Sequence, residues 1–424
     1  MFINRLQRLH SRYRWVFADG ALLSAIIHNK LVYRGKRGCQ LNGLVKFACR
    51  FGLAWPLICF VSIVDFFILF FRQRRPIRNG KNKIVDYPAY FFVGFGAGNE
   101  EKLFQLYAEQ HKGKGVGRLD ETDIATFADW HHVGLMNGVF SLFSACSVAH
   151  QAIEKIPPEL MSQRAEFLTH VGMRTGYFAY MHAWFSILEV KQKKEVAEVA
   201  FLAASTSAFA ATATGISTCY LQHGMIVQSN LLPNFTTVIA LTADEAIFMQ
   251  KRLPQAQISV RKQARPLILS GQMARSVLIA SIYGDVAYMS LVLPFLKWLH
   301  ALPVPVKVRP HPCENGLFWA DYERSGAVSI ERNDPGFYPA LKRLKPRLVV
   351  SWFSTAMDDA LMSGVIPVSV CCDDDRSVSD MVYPLFQRCL RWPNDKETIR
   401  HLLGEDNEYY AKVLSRLRKG INDV

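Results

Sequence analysis

Acidic residues are almost missing from the first 78 positions. Asp19 and Asp65 stand there against fourteen arginines and lysines, so this stretch holds +12 of the chain's formal charge of +14. The rest of the chain is nearly neutral. There is no paired CxxC either. Nine cysteines scatter over 424 residues, with Cys371 and Cys372 adjacent, which excludes a dense disulfide framework or a zinc-ribbon spacing and fits reduced thiols in a cytosolic protein. Glycine (26) and proline (19) stay near ordinary usage, and no repeat of solenoid length is visible, so collagen-like, low-complexity and repeat architectures are excluded. With half its residues apolar and a fifth charged, the chain is not disordered. A complete dinucleotide fingerprint is lacking too, because GFGAG at 94–98 puts Asn99 where the third glycine belongs. What remains is length enough for two globular domains.

The cations of the first 78 residues are interleaved with apolar runs, which points to an anionic membrane surface and away from nucleic acid. The run FGLAWPLICFVSIVDFFILFF at 51–71 is 21 residues long, enough to cross a bilayer. Pro56 and Asp65 lie inside it, and a carboxylate near mid-bilayer costs about 2.5–3.5 kcal/mol. Both flanks are basic, with Lys46 and Arg50 before and Arg72, Arg74 and Arg75 after, so crossing would put one cationic flank on the wrong side. The reading is a peripheral or monotopic segment lying in one leaflet; crossing and a buried core helix are the alternatives. The first fifteen residues hold four arginines and no compact apolar core with a cleavage site, so the catalytic part is expected on the cytoplasmic face.

Beyond the basic linker the pattern is that of an α/β protein. Strands are expected at 90–93, 196–203, 217–221, 238–241, 276–281, 304–309, 327–331, 348–351 and 366–371, with helices between them and a last one over 396–418. Such alternation predicts doubly wound parallel sheets, whose ligands bind beyond the carboxyl ends of the strands. The expected division is a membrane-associating segment at 1–80, one Rossmann-like domain at 81–270 that takes the acceptor, a second at 271–400 that takes the donor, and a terminal helix at 401–424.

Polar clusters follow four of these strands. In YLQHGM, His223 comes directly after a strand, either as an ordinary loop histidine or as a general base near neutral pH. In KVRPHPCE, Arg309 and His311 leave a strand in a loop stiffened by two prolines, which suits a group that must meet a phosphate without reordering. In VVSWFSTAMDDALMSG, Ser354 and Thr355 stand at a helix start, where hydroxyls and free N–H groups make an anion site. Asp358 and Asp359, one turn on, either accept from ribose hydroxyls or complement the helix dipole. Tyr283, Gly284 and Asp285 form a weaker fourth cluster. Adjacent His131 and His132 do not suit metal ligation from one helix face. Asp120, Glu121 and Asp123 read as a solvated turn, with one of them as an alternative base, and the acids of CDDDR at 372–376 as a solvated turn or a sugar contact.

In order, QHG at 222–224, RPHP at 309–312 and Ser354-Thr355 resemble the bacterial glycosyltransferases and polyol-phosphate transferases of capsule, lipopolysaccharide and teichoic-acid synthesis, including capsule Kdo transferases, sialyl- and polysialyltransferases and CDP-glycerol glycerophosphotransferases. The resemblance covers about residues 195–400. It implies a GT-B fold, two Rossmann-like halves facing a cleft, with the final helix returning to the first half. It also implies a cytidine-nucleotide sugar as donor substrate, no cofactor and no catalytic metal. By the same resemblance His311, Ser354 and Thr355 hold the donor phosphate, Asp358 or Asp359 reaches the ribose, and His223 faces a glycan or lipid-linked acceptor. The expected activity is transfer of a nonulosonic acid or Kdo-type sugar from a CMP donor. Alternatives are CDP-polyol or UDP-hexose chemistry, or a non-catalytic polysaccharide assembly subunit. A clear acidic-acidic-glycine motif is missing, with only Tyr283-Gly284-Asp285 near its place.

Overall fold

The structure is a computed structural model that describes residues 7–17, 36–73, 88–95, 100–121, 123, 125–155, 164–192, 198–222, 231–261, 274–281, 286–310, 317–331, 337–351, 354–370 and 388–418. The chain divides into two units, each built on one six-stranded parallel sheet.

In the first unit, β1 (Tyr90–Gly94), β2 (Val116–Asp120), β3 (Glu198–Phe201), β4 (Thr218–Leu221), β5 (Thr237–Ala240) and β6 (Gln257–Val260) lie in the order β2-β1-β3-β4-β5-β6. In the second, β7 (Ala274–Ala280), β8 (Val306–Arg309), β9 (Ser329–Ile330), β10 (Pro346–Ser351), β11 (Ile366–Ser369) and β12 (Leu390–Arg391) lie in the order β12-β11-β10-β7-β8-β9. Every pairing is parallel. The direction of winding reverses between β1 and β3 in one unit and between β7 and β10 in the other, and each reversal opens a crevice at the carboxyl ends of those strands. Each unit is a doubly wound, Rossmann-like parallel sheet, so the expected α/β class holds.

Four of the strands expected from apolar runs, β1, β4, β10 and β11, are buried on both faces. All six residues of β10 and all five of β1 are inaccessible, which is why neither shows a polar alternation. Three paired strands carried no such signal. β2 reads VGRLD, with Arg118 outward, and Gly117 is required there because a Cβ would stand 2.8 Å from the Phe91 ring. β6 is a polar edge strand, and β12 has only two residues.

Helices α1 (Lys36–Cys49), α2 (Ala54–Arg72), α3 (Glu100–Gln110), α4 (Leu135–Ile153), α5 (Arg164–Gln192), α6 (Thr206–Thr214) and α7 (Ala243–Arg252) belong to the first unit. The apolar run is therefore no appended arm. α2 buries Ala54, Ile58, Ser62, Phe66 and Phe70 at a strict four-residue spacing, and α5 receives that stripe. Gly172 and Gly176 of α5 permit the close approach: a Cβ on Gly176 would lie 2.5 Å from the Ser62 carbonyl oxygen.

The second unit holds α8 (Val286–His300), α9 (Leu317–Arg324), α10 (Phe337–Leu344), α11 (Thr355–Met362), α12 (Lys396–Leu402) and α13 (Asn407–Arg418). Two features correct the expected terminal helix. It is two helices, broken at Gly404, and α13 packs within the second unit. The reason is Tyr410, whose buried hydroxyl donates to the Arg347 carbonyl at 2.9 Å and accepts from the Ile366 N–H at 3.0 Å, pinning α13 to β10 and β11.

Candidate functional site

The candidate residues of the second unit follow strands that are neighbours around its crevice. β8, β7 and β10 lie side by side, so the chain leaves the sheet at Arg309, Ser281 and Ser351 within about 10 Å of strand spacing. The strand ends are tied together. Ser281 N–H donates to the Arg309 carbonyl at 2.9 Å, and the Ser351 hydroxyl donates to the Ala280 carbonyl at 2.8 Å. The Ser281 hydroxyl also accepts from the buried Trp319 indole at 3.2 Å, which fixes the rim of the crevice.

Ser354 is the N-cap of α11, and its hydroxyl accepts from Ala356 N–H at 3.2 Å. Thr355 opens the helix, whose Ala356 N–H is taken by the Ser354 hydroxyl and whose Met357 N–H donates to the Ser354 carbonyl at 3.0 Å. Asp358 lies in the first turn of α11 and is buried, whereas Asp359 is half-buried. Burial makes Asp358 a poorer partner for an incoming ribose than Asp359. His311, Tyr283, Gly284, Asp285 and the run 372–376 lie outside the described residues, as does His223. Their strands end at Arg309, Ala280, Ser369 and Leu221 respectively for His311, the Tyr283 cluster, the acidic run and His223.

The crevice of the first unit holds Glu121, one of three acids expected to form a solvated turn with one of them as an alternative base. Glu121 N–H donates to the Gly94 carbonyl at 2.9 Å, which sets Glu121 just past the end of β2 beside β1. Its carboxylate then crosses the end of β1. It accepts from the Ser205 hydroxyl at 2.5 Å and from the Ser207 hydroxyl, both at the start of α6 after β3. Ser205 is also the N-cap of α6, accepting from Ala208 N–H. Arg174 of α5 donates to the Thr206 hydroxyl at 3.0 Å. The Tyr177 hydroxyl is buried here beside Ser207 and Glu121. Desolvation raises the Glu121 carboxyl above its ordinary range, against the lowering effect of its serine partners. A half-buried carboxylate with a raised proton affinity at a topological switch point fits a general base. The serines that single out Glu121 lie far away in sequence, so LDETD alone could not say which of its acids would be the base.

The glycine turn at 94–98 has a structural use at its first residue. Gly94 leaves room for Glu100, whose carboxylate accepts from Phe95 N–H at 2.9 Å and pairs with Arg118 at 2.9 Å. The end of β1 is thus closed by a side chain of the protein itself. Of the adjacent histidines, His131 stacks on Trp184 at 4.1 Å and bonds its carbonyl at 3.0 Å, a packing role. A hollow of about 470 Å³ lined by Arg275, Lys307 and Arg343 opens at the amino ends of β7 and β8, the edge opposite the candidate residues. Its position separates it from the strand-end chemistry.

No protein-family model and no curated protein sequence matches the chain. Among solved structures, UDP-GlcNAc 2-epimerase of Methanocaldococcus jannaschii, in complex with UDP-GlcNAc and UDP, aligns over 78% of this chain and 99% of its own at 9% identity and a TM-score of 0.43. The wall teichoic acid polymerase TagF, soaked with CDPG, aligns over 80% and 85% at 8% identity and a TM-score of 0.43. The spinosyn forosaminyltransferase SpnP aligns over 80% and 95% at 12% identity and a TM-score of 0.41. At such identities and scores, function rests on the side chains of this chain itself.

Proposed function

We propose that the chain is a nucleotide-sugar-dependent glycosyltransferase. It moves a nonulosonic acid or Kdo-type sugar from a CMP-linked donor to a glycan or lipid-linked acceptor of a capsule or lipopolysaccharide, without a metal. The observation that carries this reading is the Ser354-capped start of α11 at the β7/β10 crevice, one strand away from the end of β8 where Arg309 leads to His311.

A CMP donor places one phosphate at the bond to be broken. In this reading the N-terminal N–H groups of α11 and the hydroxyls of Ser354 and Thr355 receive that phosphate, with Arg309 and His311 on its other side. Asp359 accepts from the ribose. The acceptor oxygen attacks the anomeric carbon, and its proton passes to the Glu121 carboxylate. The bond from that carbon to the phosphate oxygen breaks, and CMP leaves with the bonding pair. His223, beyond β4, contacts the acceptor. Fixed donors at the leaving phosphate contribute about 10²–10³ each in rate, and a placed base about 10²–10⁴.

Thermal shifts of the full chain with CMP, CDP and UDP test the donor. CMP is expected to stabilise most. Stabilisation by uridine nucleotides alone removes the CMP assignment and favours a UDP-hexose donor, and a preference for CDP favours a polyol donor. If no nucleotide shifts the melting temperature and Ser354→Ala still complements a capsule-deficient strain, the chain is an assembly subunit and not an enzyme.

A further inference from the structure

Three helices of the first unit leave one continuous apolar face outward. α2, fixed to α5 by its inner stripe, exposes Phe60, Ile63, Val64, Ile68 and Phe71 on the opposite side. α4 lies antiparallel beside it: Trp55 meets His150 with ring centroids 5.1 Å apart, the Cys59 and Cys146 thiols interact, and Phe66 packs on Gly138. Beyond its own buried stripe, α4 exposes Leu135, Met136, Phe140 and Phe143, the last two at 66% and 71%. Leu44 and Phe47 of α1, with Phe51 and Leu53, extend the same apolar surface.

No charge interrupts it on α2 or on α4. Asp65, the one acid in the run, lies on the side of α2 that meets Gly176, turned toward the protein. Cations stand at the margins instead: Arg50 and Arg72 are exposed at the two ends of α2. An apolar face of this extent marks an interaction site. Its cationic rim decides the partner. A second copy would bring like charges together around the contact, whereas anionic headgroups neutralise them. α2 is long and apolar enough to cross a membrane, and α5 packs along its inner stripe, so lipid can meet only its outward face.

We infer that the outward faces of α1, α2 and α4 form one platform that seats the first unit in a single leaflet of an anionic bilayer, with α2 lying in the membrane plane. α4, which lies far from the basic segment in sequence, is part of the membrane surface. This inference stands apart from the transferase reading.

The test is flotation of the full chain with vesicles of phosphatidylglycerol and phosphatidylcholine, compared with phosphatidylcholine alone. Binding is expected to need the anionic lipid and to weaken in 0.5 M salt, roughly as charge screening demands. Phe140→Asp/Phe143→Asp should lower vesicle binding at least about tenfold with an unchanged melting temperature, since both side chains are exposed. A photoactivatable phosphatidylglycerol on the unaltered protein checks the same surface without a substitution. Labels are expected in both 60–71 and 135–143. Labels confined to 51–71, wild-type vesicle binding by the double variant, or a lipid-free dimer that the double variant dissociates while vesicles are ignored would each overturn the inference.

Discussion

The Ser205 hydroxyl donates to the Glu121 carboxylate over 2.5 Å, joining the end of β3 to the end of β2 across the end of β1. A carboxyl held above its ordinary value binds its proton more tightly in the folded chain than in the unfolded one. Stability therefore falls as pH rises from 4.5 through that raised value, and the ionised form is a cost at neutral pH. Glu121→Gln removes the cost and keeps an acceptor for both serines. The variant is expected to melt no lower than wild type at pH 7, to lose the acid-to-neutral slope in stability, and to lose about 10²–10⁴ in transfer while still binding nucleotide. Melting curves between pH 4.5 and 7.5, set beside transfer rates, check this. Full activity in the variant removes Glu121 from the chemistry.

Ser354 serves two purposes in the proposed site, and one substitution separates them. Ser354→Ala loses the cap on Ala356 N–H, at about 1 kcal/mol, together with a phosphate donor. Ser354→Asp keeps the cap but sets a negative charge where the donor phosphate is expected. The aspartate variant should therefore melt like wild type and show no CMP-induced shift, whereas the alanine variant loses both. If the aspartate variant retains the CMP shift, the start of α11 does not hold the phosphate.

Much of the second unit can be read from sequence because its central strands are unbroken apolar runs, and because helices such as Phe337–Leu344 have polar or proline boundaries. β2 was hidden by Gly117 and Arg118, whose purposes appear only once Phe91 and Glu100 are in place. Glu121 was hidden for a related reason: a carboxylate in LDETD looks solvated until Ser205 and Ser207 fold over it. The apolar run at 51–71 showed its composition but not its packing, since the glycines that receive its inner stripe lie more than a hundred residues on in α5. The helix start at Ser354 was legible from local pattern alone, because capping is a local event.

Tyr410 gives the second unit a test of its own. Its hydroxyl satisfies the Ile366 N–H and donates to the Arg347 carbonyl, and its ring lies 5.1 Å from the Arg347 guanidinium. Tyr410→Phe leaves the Ile366 N–H buried without its acceptor, at about 1–3 kcal/mol. Hydrogen exchange is expected to quicken at Ile366 and through 407–418, with no change in the first unit. An exchange pattern identical to wild type would show that α13 is held by apolar packing alone.

Gly176 and Ile58 mark why the basic N-terminal segment cannot be removed without consequence. A Cβ at Gly176 would stand 2.5 Å from the Ser62 carbonyl oxygen and 3.0 Å from the Phe66 amide nitrogen, backbone atoms that move only if α2 moves. Gly176→Ala is therefore expected to destabilise by about 1–3 kcal/mol, whereas Gly134→Ala, with nothing within 4 Å, is the neutral control. Deleting residues 1–78 goes further. It strips Ile58, Phe66 and Phe70, which are 0%, 0% and 1% exposed, from α5, and a single buried Phe→Ala change already costs about 3–5 kcal/mol. Against a typical total stability of about 5–15 kcal/mol, the truncated chain should aggregate in detergent-free buffer and not simply leave the membrane fraction. Sedimentation and thermal melting of the truncated protein decide the matter: a soluble chain with the wild-type transition would mean that α2 is a detachable arm after all.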